Sequence, residues 1–297
     1  MILRKSRREL ERMAAAGSVV ARTLALLRER ARPGVTTGEL DRAAEEFIRD
    51  QGGVPTFKGY HGFPASICAS PNDMVVHGIP GSYALQQGDV LSVDVGVTLR
   101  GWVADSGYTF WVGEGEPPEE VRRLLTACRA SLFAAVEQCV DGRHLSDLGH
   151  AVQTRVEADG FGVIRSLVGH GVGRRMHEDP QIPNYGPPGR GQVLRPGMTL
   201  AVEPMITASG VTDVQLDPDD GWSIYSADHS LTAHYEHTVA VTDDGPLILT
   251  RHDGWSPVDD EVRGNDPGGR FCYHAASRFA AACPLGLRRS KCSIRCI

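Results

Sequence analysis

The chain has 297 residues, 41% hydrophobic and 23% charged, which is an ordinary globular composition and long enough to bury one large core or two small ones. A net charge of -6 excludes a general attraction to nucleic acid or to an anionic membrane. No run of 18 apolar residues is present, so no transmembrane helix is expected, and the charged start MILRKSRREL lacks the apolar region of a signal peptide.

Residues 7–30 read as a first helix, and Arg22 interrupts its apolar stretch from Gly17 to Leu27, as suits a cytoplasmic protein. A second helix is expected in PGVTTGELDRAAEEFIRDQGG, opened by a capping box of Thr36 and Glu39 and closed by Gly52 and Gly53. A Gly- and Pro-punctuated stretch covers 53–81. VLSVDVGV (90–97) and WVADSGYTFWV (102–112) read as strands. Pro117 and Pro118 precede a helix over about 119–138, and another spans about 146–159. MTLAVEPMI (198–206) and TAHYEHTVAVT (232–242) read as further strands. From about 251 the chain turns rich in Gly, Pro, Arg and Ala without periodicity, so 1–250 is expected to be the folded domain and 251–297 a poorly ordered tail.

Seven cysteines, at 68, 128, 139, 272, 283, 292 and 296, make an odd count, and free thiols in a reducing compartment are expected. The four in the tail have no CxxC spacing for zinc, and the fourth residue from the end is Ile294, so there is no prenylation box.

An internal repeat organises these elements. Gly34, Leu40 and Gly52 bracket the second helix, and Gly142, Leu148 and Gly160 bracket another, displaced by 108. His61-Gly62 is matched by His170-Gly171, and LQQGDVLSVD (85–94) by LRPGMTLAVE (194–203), both displaced by 109. Two copies of a helix–strand unit are expected, each ending in a carboxylate on a strand.

Those carboxylates are in expensive places. Asp94 sits inside Leu-Ser-Val-Asp-Val-Gly-Val, where an ionised side chain is costly to bury unless paired or bound to metal. Asp105 follows across a turn of Leu99, Arg100 and Gly101; a symmetric hairpin would place the two directly opposite, where like charges repel and a cation would convert repulsion into coordination. Glu203, in LAVEPMI, and Glu236, in HYEHTVAV, repeat the pattern, and His170 lies in the Gly-flanked VGHGVG. Four carboxylates and one imidazole form a hard ligand set suited to Mn²⁺, Fe²⁺ or Co²⁺, with Zn²⁺ also admitted. Four negative charges match two divalent ions, a pair able to hold a nucleophilic hydroxide and stabilise a tetrahedral oxyanion.

With GYHGFPASIC, VHGIP, GHGVG…MHEDP, PGMTLAVEP and YEHTVAVT in the same order and spacing, the sequence over about 8–250 resembles the type I methionine aminopeptidases of the pita-bread metallopeptidase fold. The resemblance implies an α+β fold with pseudo-twofold symmetry and a central antiparallel sheet flanked by helices. It implies that Asp94 chelates one metal, that His170 and Glu203 bind the other, and that Asp105 and Glu236 bridge. It assigns His77 to the substrate amine end or its amide, His177 to the scissile peptide, and to Glu203 a proton shuttle. It assigns a methionine pocket to Phe57, Tyr60, Phe63, Cys68, Met176 and Trp222, with Phe57 standing where Cys is frequent and Met176 where Phe is frequent. His61, the repeat mate of His170, falls to the pocket wall. A monovalent cation near Asn72 and Thr232 is also implied.

The activity this implies is removal of the initiator methionine from nascent polypeptide N-termini with a small second residue, at the ribosome, by a cytoplasmic monomer with neither nucleic-acid nor membrane partners. The alternative within the fold is an Xaa-Pro peptidase, but those usually carry an N-terminal domain for which the first ten or so residues leave no room. A metal-free binding protein of the family would be expected to have lost ligands, and all five are present. The compact run from His170 to Glu236 lacks the helical insertion of type II enzymes, and no Cys/His-rich zinc-finger extension precedes the catalytic unit.

Overall fold

Two helix pairs frame the molecule, and each starts from a local signal. The computed structural model describes residues 2–251, so the expected tail and its four cysteines lie outside the described residues. Helix α1 (Arg7–Arg30) is capped by Ser6, whose backbone N–H donates to Glu9 Oε2 at 2.8 Å. Met13, Val20, Leu24 and Leu27 form its buried stripe. Helix α2 (Thr37–Asp50) has the expected capping box: Thr36 N–H donates to Glu39 Oε2 at 2.8 Å and Glu39 N–H to Thr36 Oγ1 at 3.2 Å. Helices α3 (Glu119–Val136) and α4 (Leu145–Ala158) form the second pair, and Asp147 reaches back to the His144 N–H at 2.9 Å as Glu39 does to Thr36. Cys68, Cys128 and Cys139 are buried free thiols.

The repeat is realised in hydrogen bonds. Gly34 N–H donates to Leu85 O and Leu85 N–H to Val35 O; 108 or 109 residues later, Gly142 N–H donates to Leu194 O and Leu194 N–H to Arg143 O. Thr37 to Tyr83 and Gly38 to Gly81 recur as Leu145 to Gln192 and Ser146 to Arg190. Isolated bridges at Thr36–Ala84 and His144–Val193 complete the match. The equivalence lapses at one point. His61 lies in a short 3-10 turn with φ 49°, whereas His170 is on a strand, so their shared His-Gly is a likeness of sequence without a shared local backbone.

Among the described residues all strand pairs are antiparallel, but the expected central ladder is divided into four sheets. In the first half, β1 (Val90–Leu99) and β2 (Trp102–Trp111) form a continuous ten-pair hairpin. Its turn contains only two residues, Arg100 and Gly101, with φ of 51° and 76°, the left-handed pair that matches strand twist. The hairpin register follows from this: Asp94 faces Gly107 and Asp105 faces Gly96. The direct Asp94–Asp105 opposition expected from a symmetric turn is therefore corrected to a diagonal one, on the same face.

In the second half both long strands break at their acid. β3 (Val168–Gly171) pairs with β4 (Thr199–Val202), which pairs with the later strand β7 (His237–Thr242). Beyond Glu203-Pro204 the chain resumes as β5 (Met205–Thr207), pairing in a different sheet with β6 (Thr232–His234). The single strands expected over 198–206 and 232–242 thus each change sheet at Glu203 and Glu236. Pro204 lacks the N–H a continuous ladder needs.

The two halves cross where β2 meets β6 and β7, and the crossing is reciprocal. The Thr109 hydroxyl donates to His234 O at 2.6 Å and accepts from His234 N–H at 2.9 Å. The Thr238 hydroxyl donates to Asp105 O at 2.8 Å and accepts from Asp105 N–H at 3.0 Å. Midway between them, Glu236 N–H donates to Gly107 O at 2.9 Å. Asp105 and Glu236, one from each half, are both seated by this crossing.

Candidate metal centre

The elements deliver their side chains to one cavity of about 450 Å³, within the size range of small-molecule sites. Every residue predicted for the site lines it: Asp94, Asp105, His170, Glu203 and Glu236; His77 and His177; and Phe57, Tyr60, Phe63, Cys68, Met176 and Trp222. His61 lines it too, together with Val76, Leu167, Val168 and Met205, apolar residues that no motif singles out.

At its floor, Asp105, His170 and Glu236 each offer one ligand atom, all within 4.8 Å of one another. His170 Nε2 lies 3.8 Å from Asp105 Oδ2 and 3.5 Å from Glu203 Oε1. The other ring nitrogen, Nδ1, is 2.9 Å from Gly171 O; the N–H belongs there, which turns the Nε2 lone pair toward the acids.

The electrostatics are those of an uncompensated cluster. Burial drives Asp94 up to about 7. Burial raises Asp105 well above the carboxylate range, and the charges of Glu236 and Asp94 add to the rise. Glu203 is raised by burial and then by Asp105 and Asp94; Glu236 by burial and then by Asp94 and Glu203. Asp94 Oδ1, Asp105 Oδ1 and Glu236 Oε1 are buried without a hydrogen-bond partner. Buried acceptors left unpaired in number are costly, and a divalent cation satisfies them all at once. The donor set fits such an ion: oxygens and one imidazole, with no thiolate directed as in a structural zinc site. Burial lowers His170 to about 4, so the imidazole is neutral, the form that could bind a metal ion.

The upper wall is apolar and aromatic. Phe63 and Trp222 meet edge to face, with ring centres 5.2 Å apart. Phe57 lies against Gly96, where a Cβ would come within 2.7 Å of the ring, so the bare backbone of β1 makes room for a side chain larger than cysteine. Cys68 is the strand partner of Asp94, and burial followed by the Asp94 charge raises its thiol well above the usual range. His177 Nδ1 is 2.7 Å from the Tyr60 hydroxyl, and its ring centre is 4.2 Å from that of His170. Burial keeps His77 below its ordinary value, as it does His177, with a further contribution from His61 to the latter. The loop carrying Met176 and His177 is pinned from the N-terminal segment: Lys5 Nζ meets Glu178 Oε2 at 2.7 Å in a buried pair. Thr232, expected beside Asn72 at a monovalent site, donates from N and Oγ1 to Asn72 O, at 2.9 and 3.1 Å.

One side chain that faces the acid cluster is not among those predicted. His234 is buried, and its Nε2 lies 4.0 Å from both Glu203 Oε2 and Glu236 Oε2. Its trace in the sequence is its position two residues before Glu236 in what reads as one strand, although the structure interrupts that strand between them.

The architecture and site have counterparts. A model of metallopeptidase family M24 matches residues 11–243. The methionine aminopeptidase of Clostridium perfringens is 48% identical over 250 residues, covering 84% of this chain and 99% of the relative. The crystal structure of the methionine aminopeptidase of Thermotoga maritima superposes with a TM-score of 0.82 at 43% identity, over 85% of this chain and all of that one. A prolidase from Pyrococcus furiosus shares the fold at 21% identity and a TM-score of 0.69, this chain covering 66% of it. The fold is the pseudo-twofold pita-bread α+β architecture, with its antiparallel strands spread over four sheets. Its carboxylate–imidazole cluster and its match along nearly the whole described chain lead to one assignment: the protein belongs to metallopeptidase family M24.

Proposed function

We propose that this metal-dependent hydrolase removes the N-terminal methionine of polypeptides with a small second residue, the nascent chain being its substrate. The observation that carries the reading is the junction of two surfaces in one cavity: a buried cluster of four acids and His170, and an apolar wall of Phe57, Tyr60, Phe63, Cys68, Met176 and Trp222. The second sorts methionine from polar side chains; the first performs hydrolysis. Residues 1–250 are the catalytic unit in this reading, a monomer acting in the cytoplasm near the ribosome. Among the described residues no helix is long and apolar enough to cross a membrane.

Asp94 would hold one divalent ion and His170 with Glu203 the other, with Asp105 and Glu236 shared; Co, Mn, Fe and Zn all suit the donors. Bound there, two such ions supply Lewis-acid polarisation of the scissile carbonyl and acidify a water. The remaining work falls to this chain's side chains. Glu203, half-turned to the cavity, accepts the proton of the attacking water and returns it to the leaving amine. The neutral His177 accepts a hydrogen bond from the Tyr60 hydroxyl at Nδ1, which places its own proton on Nε2 to donate to the substrate carbonyl. His77 meets the amine end. A monovalent ion beside Asn72 and Thr232 would brace the adjoining backbone without entering the chemistry.

The Xaa-Pro alternative has only the fold in its support. Hydrolysis of a Met-Ala-Ser peptide, set beside an Xaa-Pro peptide, separates the two. Turnover of the methionyl peptide is expected, and Asp94→Asn should abolish it; near-normal turnover in that variant, or cleavage of the prolyl peptide alone, would overturn the reading.

A further inference from the structure

His234 has no role in the chemistry above, yet the fold fixes it on every side. Thr109 grips its backbone at both N and O. Because the Thr109 proton goes to His234 O, the Ser92 hydroxyl 2.7 Å away donates to Thr109 Oγ1, and the Tyr235 hydroxyl donates to Thr109 O at 2.7 Å. The imidazole itself rests on Gly107: a Cβ there would lie 2.7 Å from Cε1 and 3.0 Å from Nδ1. Any other residue at 107 would displace the ring.

Held this way, the residue is 1% exposed, and its Nε2 has no hydrogen-bond partner. A neutral imidazole carries its proton on one nitrogen. An Nε2 facing the carboxylate oxygens of Glu203 and Glu236 is the nitrogen that carries the proton, because a lone pair there would meet two more lone pairs. Glu203 lies between two imidazoles, its Oε1 3.5 Å from His170 Nε2 and its Oε2 4.0 Å from His234 Nε2. A small rotation of the carboxylate brings Oε2 into hydrogen-bond range.

We propose that His234 is a positioning residue of the metal centre: its Nε2–H donates to Glu203 Oε2 and so commits Glu203 Oε1, on the His170 side, to a divalent ion. Such partners of metal ligands typically govern affinity by about 10–100-fold. The inference rests on the reading that the cluster binds divalent metal.

The test uses the full chain, stripped of metal and titrated with Co²⁺ by calorimetry and visible absorption. Three variants divide the outcomes. His234→Gln keeps an N–H donor near the place of Nε2, His234→Leu fills the space without one, and His234→Asn holds an amide too short to reach Glu203. Wild type and His234→Gln are expected to bind Co²⁺ within about threefold of each other with the same spectrum. His234→Leu and His234→Asn should bind about 10–100-fold more weakly, with altered bands and a lower kcat at unchanged KM. Melting in chelator should show all four folded, and His234→Asn stands in if His234→Leu does not fold. Wild-type affinity and spectrum in His234→Leu and His234→Asn would overturn the proposal. So would a His234→Gln that fails as badly as His234→Leu, because the ring nitrogen would then be a ligand itself. Absence of Co²⁺ binding by wild type would refute the metal reading and this inference with it, an outcome distinct from wild-type binding that ignores His234.

Discussion

The two halves of the molecule solve the same problem with different backbones. The first presents Asp94 and Asp105 from an unbroken ten-pair hairpin, closed by two residues and covered by α1. The second presents Glu203 and Glu236 from strands that break at the acids and continue in another sheet. An intact ladder can direct only alternate residues to one face. A break frees the chain to turn a carboxylate inward, and the same half brings His170 from β3 and His234 from the end of β6, neither of which has a counterpart on the hairpin. The unbroken half thus holds its two acids in one ladder, and the interrupted half contributes its two acids together with the imidazoles of His170 and His234.

That division makes its largest prediction in activity. Asp94→Asn and Glu203→Gln should each reduce kcat/KM for a methionyl peptide by at least about a hundredfold, the scale of losing one stabilising group in a dry site. If the halves differ in this way, Asp94→Asn loses activity together with metal, whereas Glu203→Gln keeps at least one ion, as metal analysis of the purified variants would show. Equal metal loss in both would erase the distinction.

The crossing between the halves comes next. Thr238→Val is isosteric but leaves the buried N–H and C=O of Asp105 without their partner, and should cost about 2–4 kcal/mol in denaturant unfolding. Thr109→Val should cost a similar amount through His234. A loss confined to one of the two would mean that the crossing is not a reciprocal joint.

pH offers a third way to separate them. Folded Asp94, raised to about 7 from its usual 3.8, contributes stability that is present at low pH and lost as pH rises through about 7. His170, lowered to about 4 from 6.5, contributes stability that is present above 6.5 and lost as pH falls toward about 4. Below about pH 6.5 the two trends oppose each other, so chelator-treated protein should lose stability through Asp94 between about pH 6.5 and about pH 7, and metal should restore it. The gap in Tm should widen with pH, by about 2–4 °C for each kcal/mol. A constant gap would mean that the hairpin acids do not titrate in this range.

The smallest effect belongs to the turn. Arg100 holds a left-handed φ of 51° that asparagine adopts more readily, so Arg100→Asn should add roughly 0.5 kcal/mol without touching activity.

Much of this is legible in residue order because local chemistry announces it. Thr36 and Glu39 are the capping box they spell, and α2 recurs as α4 at the displacement of Gly34 and Gly142. The acids, histidines and pocket residues singled out by motif all share one cavity, and acids inside apolar strands are tolerable only where they are paired or can meet a cation. The features that residue order conceals depend on longer range. Leu-Arg-Gly-Trp lacks the Asn-Gly signature of a two-residue turn, so the register departs from the symmetric one and Asp94 faces Gly107 instead of Asp105. The change of sheet is written in Pro204, but the flanking apolar residues favour one continuous strand. His234 stays hidden because its meaning depends on Gly107 and Thr109, which lie more than a hundred positions away.

The reciprocal threonine crossing has a consequence for how the protein matures. Asp105 is seated by a hydroxyl of the second half, and the strand carrying Glu236 by a hydroxyl of the first. Neither half on its own seats its acid at the crossing. Order at these two acids is thereby a property of the joined halves: Asp105 and Glu236 reach their seated positions in the common cavity only when the later half has docked on the earlier one.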